Sequence, residues 1–230
     1  MAEIGYGYGS EWQLLRYLGH HRNYLNKEIL KALKLKNEQI IWKDYPVNKN
    51  RLSMDGELTG IKCFEKCFEK DIYKRIDKAW KTFWPQSGTS HNWDGVFTIG
   101  EKWFFVEAKA HLDEAHQKCG AKKEESIHLI KSAFEETSGS SELGQQWFES
   151  DCYQLANRLA FIKFCENQGI KAKLIYINFL NGWIKNESGF KSVLNQIDWE
   201  KVWEEEYKTL SLTKKHKDSI VHVYIDCLKG

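Results

Sequence analysis

The chain has 230 residues, 42% apolar and 29% charged, with two prolines, Pro46 and Pro85, and a formal net charge of +2. These values fit one packed domain. They exclude extended disorder and collagen-like structure, and the net charge alone gives no case for a polyanion-binding surface. No apolar run approaches the roughly 20 residues that cross a bilayer, and the start Met1-Ala2-Glu3-Ile4-Gly5-Tyr6 has neither a basic nor an apolar leader region. A cytoplasmic protein without membrane association is expected.

Gly5-Tyr6-Gly7-Tyr8-Gly9 reads as flexible, and Ser10 followed by Gln13 is a capping-box signature that predicts a helix to about Leu18, with Glu11 in its first turn. Residues 24–36 predict a second, basic helix, and residues 39–47 an extended segment ended by Pro46. Between residues 12 and 51 nine cations (Arg16, Arg22, Lys27, Lys31, Lys34, Lys36, Lys43, Lys49, Arg51) outnumber Glu28, Glu38 and Asp44, so this segment carries +6 and the remainder −4. Trp12, Tyr17, Tyr24, Trp42 and Tyr45 lie among them. Such interleaving suits a surface that tracks a nucleic-acid backbone, and it equally suits a solvated helical face over the edge of a core.

Asp55-Gly56 marks a turn. From Ile61 onward Phe64, Phe68, Ile72, Ile76 and Trp80 recur at every fourth position, predicting one amphipathic helix to about Thr82. The six cysteines form no C-x-x-C pair, and Lys62-Cys63-Phe64-Glu65 simply repeats as Lys66-Cys67-Phe68-Glu69. Reduced thiols packed as small hydrophobes are therefore expected, not a zinc cage, and no histidine is assigned a metal.

After a loop over residues 85–92, Asp94–Ile99 and Trp103–Lys109 are aromatic and β-branched runs joined through Gly100-Glu101, which predicts a hairpin. Residues 121–137 predict a helix, 137–141 a flexible link, and 145–167 a longer helix whose apolar stripe is Phe148, Cys152, Leu155, Leu159 and Ile162, with Gln154 and Arg158 on a neighbouring face. Residues 173–179 read as a strand buried on both faces. Residues 190–208 read as a helix and 220–226 as a closing strand. The order predicts an α/β domain with a central mixed sheet flanked by helices. Its parts are a basic helical region (1–60), a core carrying the candidate site (61–180) and a C-terminal helix and strand (181–230).

A two-residue turn with Gly100 at its first central position pairs Ile99 with Lys102, and the same register sets Asp94 opposite Glu107. Opposed carboxylates with Cβ atoms about 5 Å apart repel unless a cation sits between them. Lys109 projects from the same face about 6.5–7 Å further along the strand. Carboxylate oxygens with open water positions suit Mg²⁺, with Mn²⁺ as a substitute, and a nearby ammonium can orient a water or stabilise a phosphorane-like transition state. Phosphodiester hydrolysis fits these parts best.

Asp94, followed by Glu107-Ala108-Lys109 at the end of an apolar strand, resembles the PD-(D/E)xK nuclease superfamily, which has the restriction-endonuclease-like fold. The resemblance covers roughly residues 60–180 and implies a core of helix, three-stranded meander, helix and further strand. It implies that Asp94, Glu107 and the Ala108 carbonyl bind the metal and that Lys109 positions the water. It also implies that Gln154 reaches the site from the following helix and that Glu11 adds an acidic ligand from an early one. Trp93 stands where the family usually has proline, and the first meander strand is not evident between Trp80 and Ser90. A second Glu-x-Lys, Glu206/Lys208, lies in the charged run Glu204-Glu205-Glu206 and reads as a solvated helix face. His91 reads as a loop residue, and Asp113 and Glu114 as the start of the next helix.

The expected activity is a metal-dependent nuclease acting on nucleic acid, DNA in the first place, with a homodimer left open. A non-cleaving binding or assembly subunit of the same fold and a hydrolase of small phosphorylated molecules are the alternatives.

Overall fold

The computed structural model describes residues 9–43, 58–86, 91–111, 114–186, 189–192 and 195–229, with backbone alone over 183–192. The chain begins with helices α1 (Ser10–His20) and α2 (Arg22–Ala32), then the short strands β1 (Ile41–Trp42) and β2 (Leu58–Thr59), and a 3₁₀ turn at Lys62–Phe64. Helix α3 (Lys70–Phe83) precedes β3 (Asn92–Trp93), β4 (Gly95–Ile99) and β5 (Lys102–Lys109). Helices α4 (Glu124–Ser138), α5 (Ser141–Glu149) and α6 (Tyr153–Asn167) lead to β6 (Ala172–Leu180). A small hairpin follows, β7 (Trp183–Asn186) with β8 (Gly189–Ser192), then α7 (Gln196–Thr209), α8 (Lys214–Asp218) and β9 (Ile220–Asp226).

The main sheet has the order β1-β4-β5-β6-β9, with β1, β4 and β5 antiparallel and β5, β6 and β9 parallel, so the expected mixed sheet is present. Its two faces carry separate cores. Trp103, Phe105, Leu174 and Tyr176 face a layer that includes Trp80 of α3, Phe134 of α4, Phe161 of α6 and Trp199 of α7. Phe104, Val106, Ile175 and Ile177 alternate with them and face Leu14 and Tyr17 of α1 and Leu25 and Ile29 of α2. Central β6 is apolar on both faces for this reason, as its unbroken sequence run predicts.

The hairpin register matches the expectation from Ile99–Lys102 through Gly95–Val106, and Gly100 has φ +55°, as the first central residue of a type II′ turn requires. The strand next to β4 is the two-residue β1, which comes from before α3, so β1, β4 and β5 are not the consecutive three-stranded meander that the resemblance implies.

Several predicted elements differ. No side-chain cap forms at α1, because the cap position is Gly9; Ser10 is the first helical residue, and its hydroxyl donates to Glu114. The helix predicted over 61–82 is broken between the 3₁₀ turn and α3, which lets Phe64 and Phe68 both pack on Trp103 while Ile72 stays exposed. The helix predicted over 145–167 is likewise two helices, α5 and α6, separated at Ser150–Cys152. The supposed flexible link at 137–141 is a tight turn between α4 and α5. The Asp55-Gly56 turn, the opening glycine–tyrosine run and Asp113 lie outside the described residues. Tyr17 is a core residue stacked on Phe179, so it offers no base-stacking surface, whereas Trp42 is half-buried and packs on Phe97 at the margin of the core. Lys27, Lys31, Lys34 and Lys36 are exposed, as a solvated basic face requires. All six cysteines are free thiols, and Cys63, Cys152 and Cys165 are buried. Among the described residues no helix is long and apolar enough to cross a membrane.

Candidate active site

Strand β5 runs past the start of β4, so its last residues are covered by helices and not by a neighbouring antiparallel strand. Glu107 and Lys109 occupy alternate positions there, 3% and 4% exposed, on the face that carries α6 and α7. The Lys109 ammonium donates to Glu107 Oε1 at 2.8 Å. Helix α6 adds Gln154, whose Nε2 donates to the same oxygen at 2.9 Å, and Arg158 one turn later, whose Nε donates to Oε2 at 2.8 Å. The Arg158 guanidinium also donates to the Asn92 carbonyl at 2.9 Å and lies 4.7 Å from the Trp93 ring centre. A spacing of four residues on a helix puts Gln154 and Arg158 on one face, and packing of α6 against the sheet turns that face to Glu107.

Pairing stops one residue short of the expected Asp94–Glu107 opposition. The Asp94 N–H donates to Val106 O at 3.1 Å, and Asp94 Oδ2 accepts from the Ala108 N–H at 2.7 Å. The carboxylate is thereby held over the end of β5. Burial and the neighbouring Glu107 charge push the Asp94 carboxyl up to about 8, although Lys109, the Ala108 N–H and Arg158 oppose the shift. Burial would also raise Glu107, but the charges of Arg158 and Lys109 outweigh it and hold Glu107 below the usual carboxylate range. The Glu107 charge thus favours the protonated form of Asp94, while Arg158 and Lys109 favour the ionised form of Glu107.

The two carboxylates are oxygen donors of the kind a hard divalent cation takes, but both Glu107 oxygens already accept from Lys109, Gln154 and Arg158, so an ion there would have to share or displace these donors. The structure thus brings Asp94, Glu107, Ala108, Lys109 and Gln154 together. Glu11 lies in the first turn of α1, on the helical layer of the opposite face, beside Ser10, whose hydroxyl donates to Glu114 Oε1 at 3.0 Å.

Two sequence readings are corrected, those of Glu114 and Glu206. Glu114 does not begin a helix, since α4 starts at Glu124; it instead accepts from the Ala110 N–H at 2.7 Å and ties α1 to the end of β5. His91 is in a loop, as read, just before β3, and it is fully buried among Trp80, Trp84 and Trp93, with Nε2 3.0 Å from Asn157 O and a pKa that burial lowers to about 3. Glu206 is not on a solvated face: it is 1% exposed, and burial raises it to about 8. Arg158 was not foreseen as a site residue, and its position four residues after Gln154 was the available signal.

No family model, curated protein or solved structure matches the chain.

Proposed function

We propose that the chain is a metal-dependent nuclease related to the PD-(D/E)xK superfamily, hydrolysing phosphodiester bonds in nucleic acid, with DNA the first substrate to test. The observation that carries this reading is the convergence of Asp94, Glu107 and Lys109 at the covered end of β5, where Lys109 donates to Glu107 and the Glu107 charge, after burial, raises the Asp94 carboxyl. Asp94 and Glu107, with the Ala108 carbonyl, would hold Mg²⁺ or Mn²⁺, and such an ion supplies Lewis-acid polarisation of a phosphoryl oxygen and a more acidic water. Lys109 orients the attacking water and places positive charge beside the developing phosphorane. Gln154 and Arg158 fix the Glu107 carboxylate and keep it ionised. The exposed lysines 27, 31, 34 and 36 offer counter-charge to a phosphate backbone.

One observation favours a second reading, a non-cleaving subunit. Both Glu107 oxygens already have donors, Lys109 and Gln154 on one and Arg158 on the other, so the network is closed without an ion. Cleavage of supercoiled plasmid and of a labelled single strand at low salt, with Mg²⁺, Mn²⁺ or EDTA, separates the two. Metal-dependent cutting that is lost in both Glu107→Ala and Asp94→Asn supports the nuclease. Equal cutting by the variants removes this site from the reaction, and salt-sensitive binding with no cutting under either metal favours the subunit.

A further inference from the structure

A second group of donors, distant in sequence, meets at the start of α6. The Gln117 N–H donates to Asp151 O at 2.6 Å and the Tyr153 N–H donates to Gln117 O at 3.1 Å, which makes an isolated parallel bridge between Gln117 and Cys152. This lacing sets His116 beside Asp151 and Cys152, and one ligand atom from each of the three lies within 4.8 Å of the others. Cys152 Sγ is 3.6 Å from Asp151 Oδ1, close to the roughly 3.3–3.7 Å separating two ligands that stand 2.0–2.3 Å from a tetrahedral ion. His116 and Asp151 are exposed and Cys152 is buried, so the group opens to solvent on one side only.

Glu206 of α7 is within electrostatic reach of this group. It is 1% exposed, its Oε1 has no hydrogen-bond partner among the described residues, and its charge acts on Cys152 as that of Asp151 acts on it. A buried carboxylate oxygen without a donor is costly, and beside a histidine, a thiol and a second carboxylate the missing donor is readily a metal-bound water.

We propose that His116, Asp151 and Cys152 form a zinc site, separate from the Glu107 group, in which Glu206 accepts from the water that completes the ion's coordination. The mixed nitrogen, oxygen and sulfur donors select zinc over magnesium, which prefers oxygen alone. The proposal does not rest on the nuclease reading. An ion there would clamp residues 116–117 to the turn from which α6 sends Gln154 and Arg158 to Glu107.

The test is calorimetric titration of the chelator-stripped full chain with Zn²⁺ and Mg²⁺, together with absorption spectra of the Co²⁺-loaded protein. One Zn²⁺ per chain is expected, with a near-ultraviolet thiolate-to-cobalt band. His116→Ala, at an exposed position that folding tolerates, should weaken Zn²⁺ about 100-fold, Cys152→Ser should abolish the band, and Glu206→Gln should weaken Zn²⁺ about tenfold. Asp94→Ala should leave zinc affinity unchanged, which separates this site from any magnesium site at Glu107. Zinc affinity unaltered by His116→Ala, a cobalt spectrum without a thiolate band, or zinc binding lost with Asp94→Ala would each overturn the proposal.

Discussion

At the scale of single residues the Glu107 network sets the chemistry and also carries stability. Arg158 donates to a carboxylate that is 3% exposed, so replacing the guanidinium with a neutral chain removes the largest favourable influence on a buried charge. Arg158→Met should cost about 3–5 kcal/mol, because the partner charge stays buried, and urea unfolding at neutral pH measures it. Gln154→Ala, which leaves Lys109 and Arg158 in place, should cost only about 1–2 kcal/mol. Asp94 makes a separate prediction. Its carboxyl, raised to about 8 by burial and Glu107, must lose a proton before it can ligate a cation. Mg²⁺ binding should therefore release protons at pH 7 and tighten as pH rises toward 8, and calorimetry in buffers of different ionisation enthalpy should detect the release; binding without proton release would contradict a protonated Asp94. Asp94, Glu107 and Lys109 were legible in the sequence because a strand alternates strictly and Gly100 fixes the turn. Gln154 and Arg158 shared a helical face in the sequence, but which face meets β5 depends on packing across the sheet. His91 was legible as a loop residue but its burial was not, because polar neighbours in the chain say nothing of the tryptophans that enclose it in space.

At the scale of elements, the long strands of the main sheet were easier to read than helix boundaries or short strands: the helix read over 190–208 begins only at Gln196, after β8. Both β6 and β9 appear where their apolar runs fall, since burial on a sheet leaves a pattern that nothing else in the chain imitates. The two long helices failed for a shared reason: a four-residue apolar spacing survives across a break when both pieces pack on the same core. Phe64 and Phe68 keep the period of α3 yet belong to the turn before it, and Cys152 keeps the stripe of α6 while its main chain accepts from Ala156 as the cap. The α4–α5 turn shows what such a break requires. A Cβ on Gly144 would lie 2.7 Å from Glu135 N and 2.9 Å from Glu135 Cα, both main-chain atoms that cannot move aside alone. Gly144→Ala should therefore destabilise by about 1–2 kcal/mol, the overpacking penalty outweighing the better helix propensity of alanine. A thermal melt reads it as a lowered Tm, and a raised Tm would mean that α5 shifts freely against α4.

At the scale of the whole molecule, the balance of buried ionisable groups sets how stability varies with pH. His91 and His222 are both lowered to about 3 by burial, so between about 6.5 and 3 the unfolded chain binds protons that the folded chain refuses. Their contribution is complete above pH 6.5 and is lost as pH falls. Asp94 and Glu206 are raised to about 8, so between about 4 and 8 the folded chain holds protons that the unfolded chain has released, and their contribution is lost as pH rises. From about 4.5 to 6.5 two groups act in each direction and nearly cancel. Above 6.5 only the acids act; below 4.5 the histidines are joined by Glu107 and Glu114, whose lowered carboxyls also lose their contribution in acid. Unfolding free energy should thus show a plateau over about pH 4.5–6.5, with a fall on both sides. Denaturant titrations at half-unit pH steps, in EDTA so that no metal changes the protonation of these groups, measure the curve. Asp94→Asn and Glu206→Gln should each flatten the fall between 6.5 and 8 while leaving the acid limb in place, and His91→Phe should reduce the acid limb alone. A stability that rises from pH 6.5 to 8 would mean that the Asp94 and Glu206 carboxyls are ionised in the folded chain.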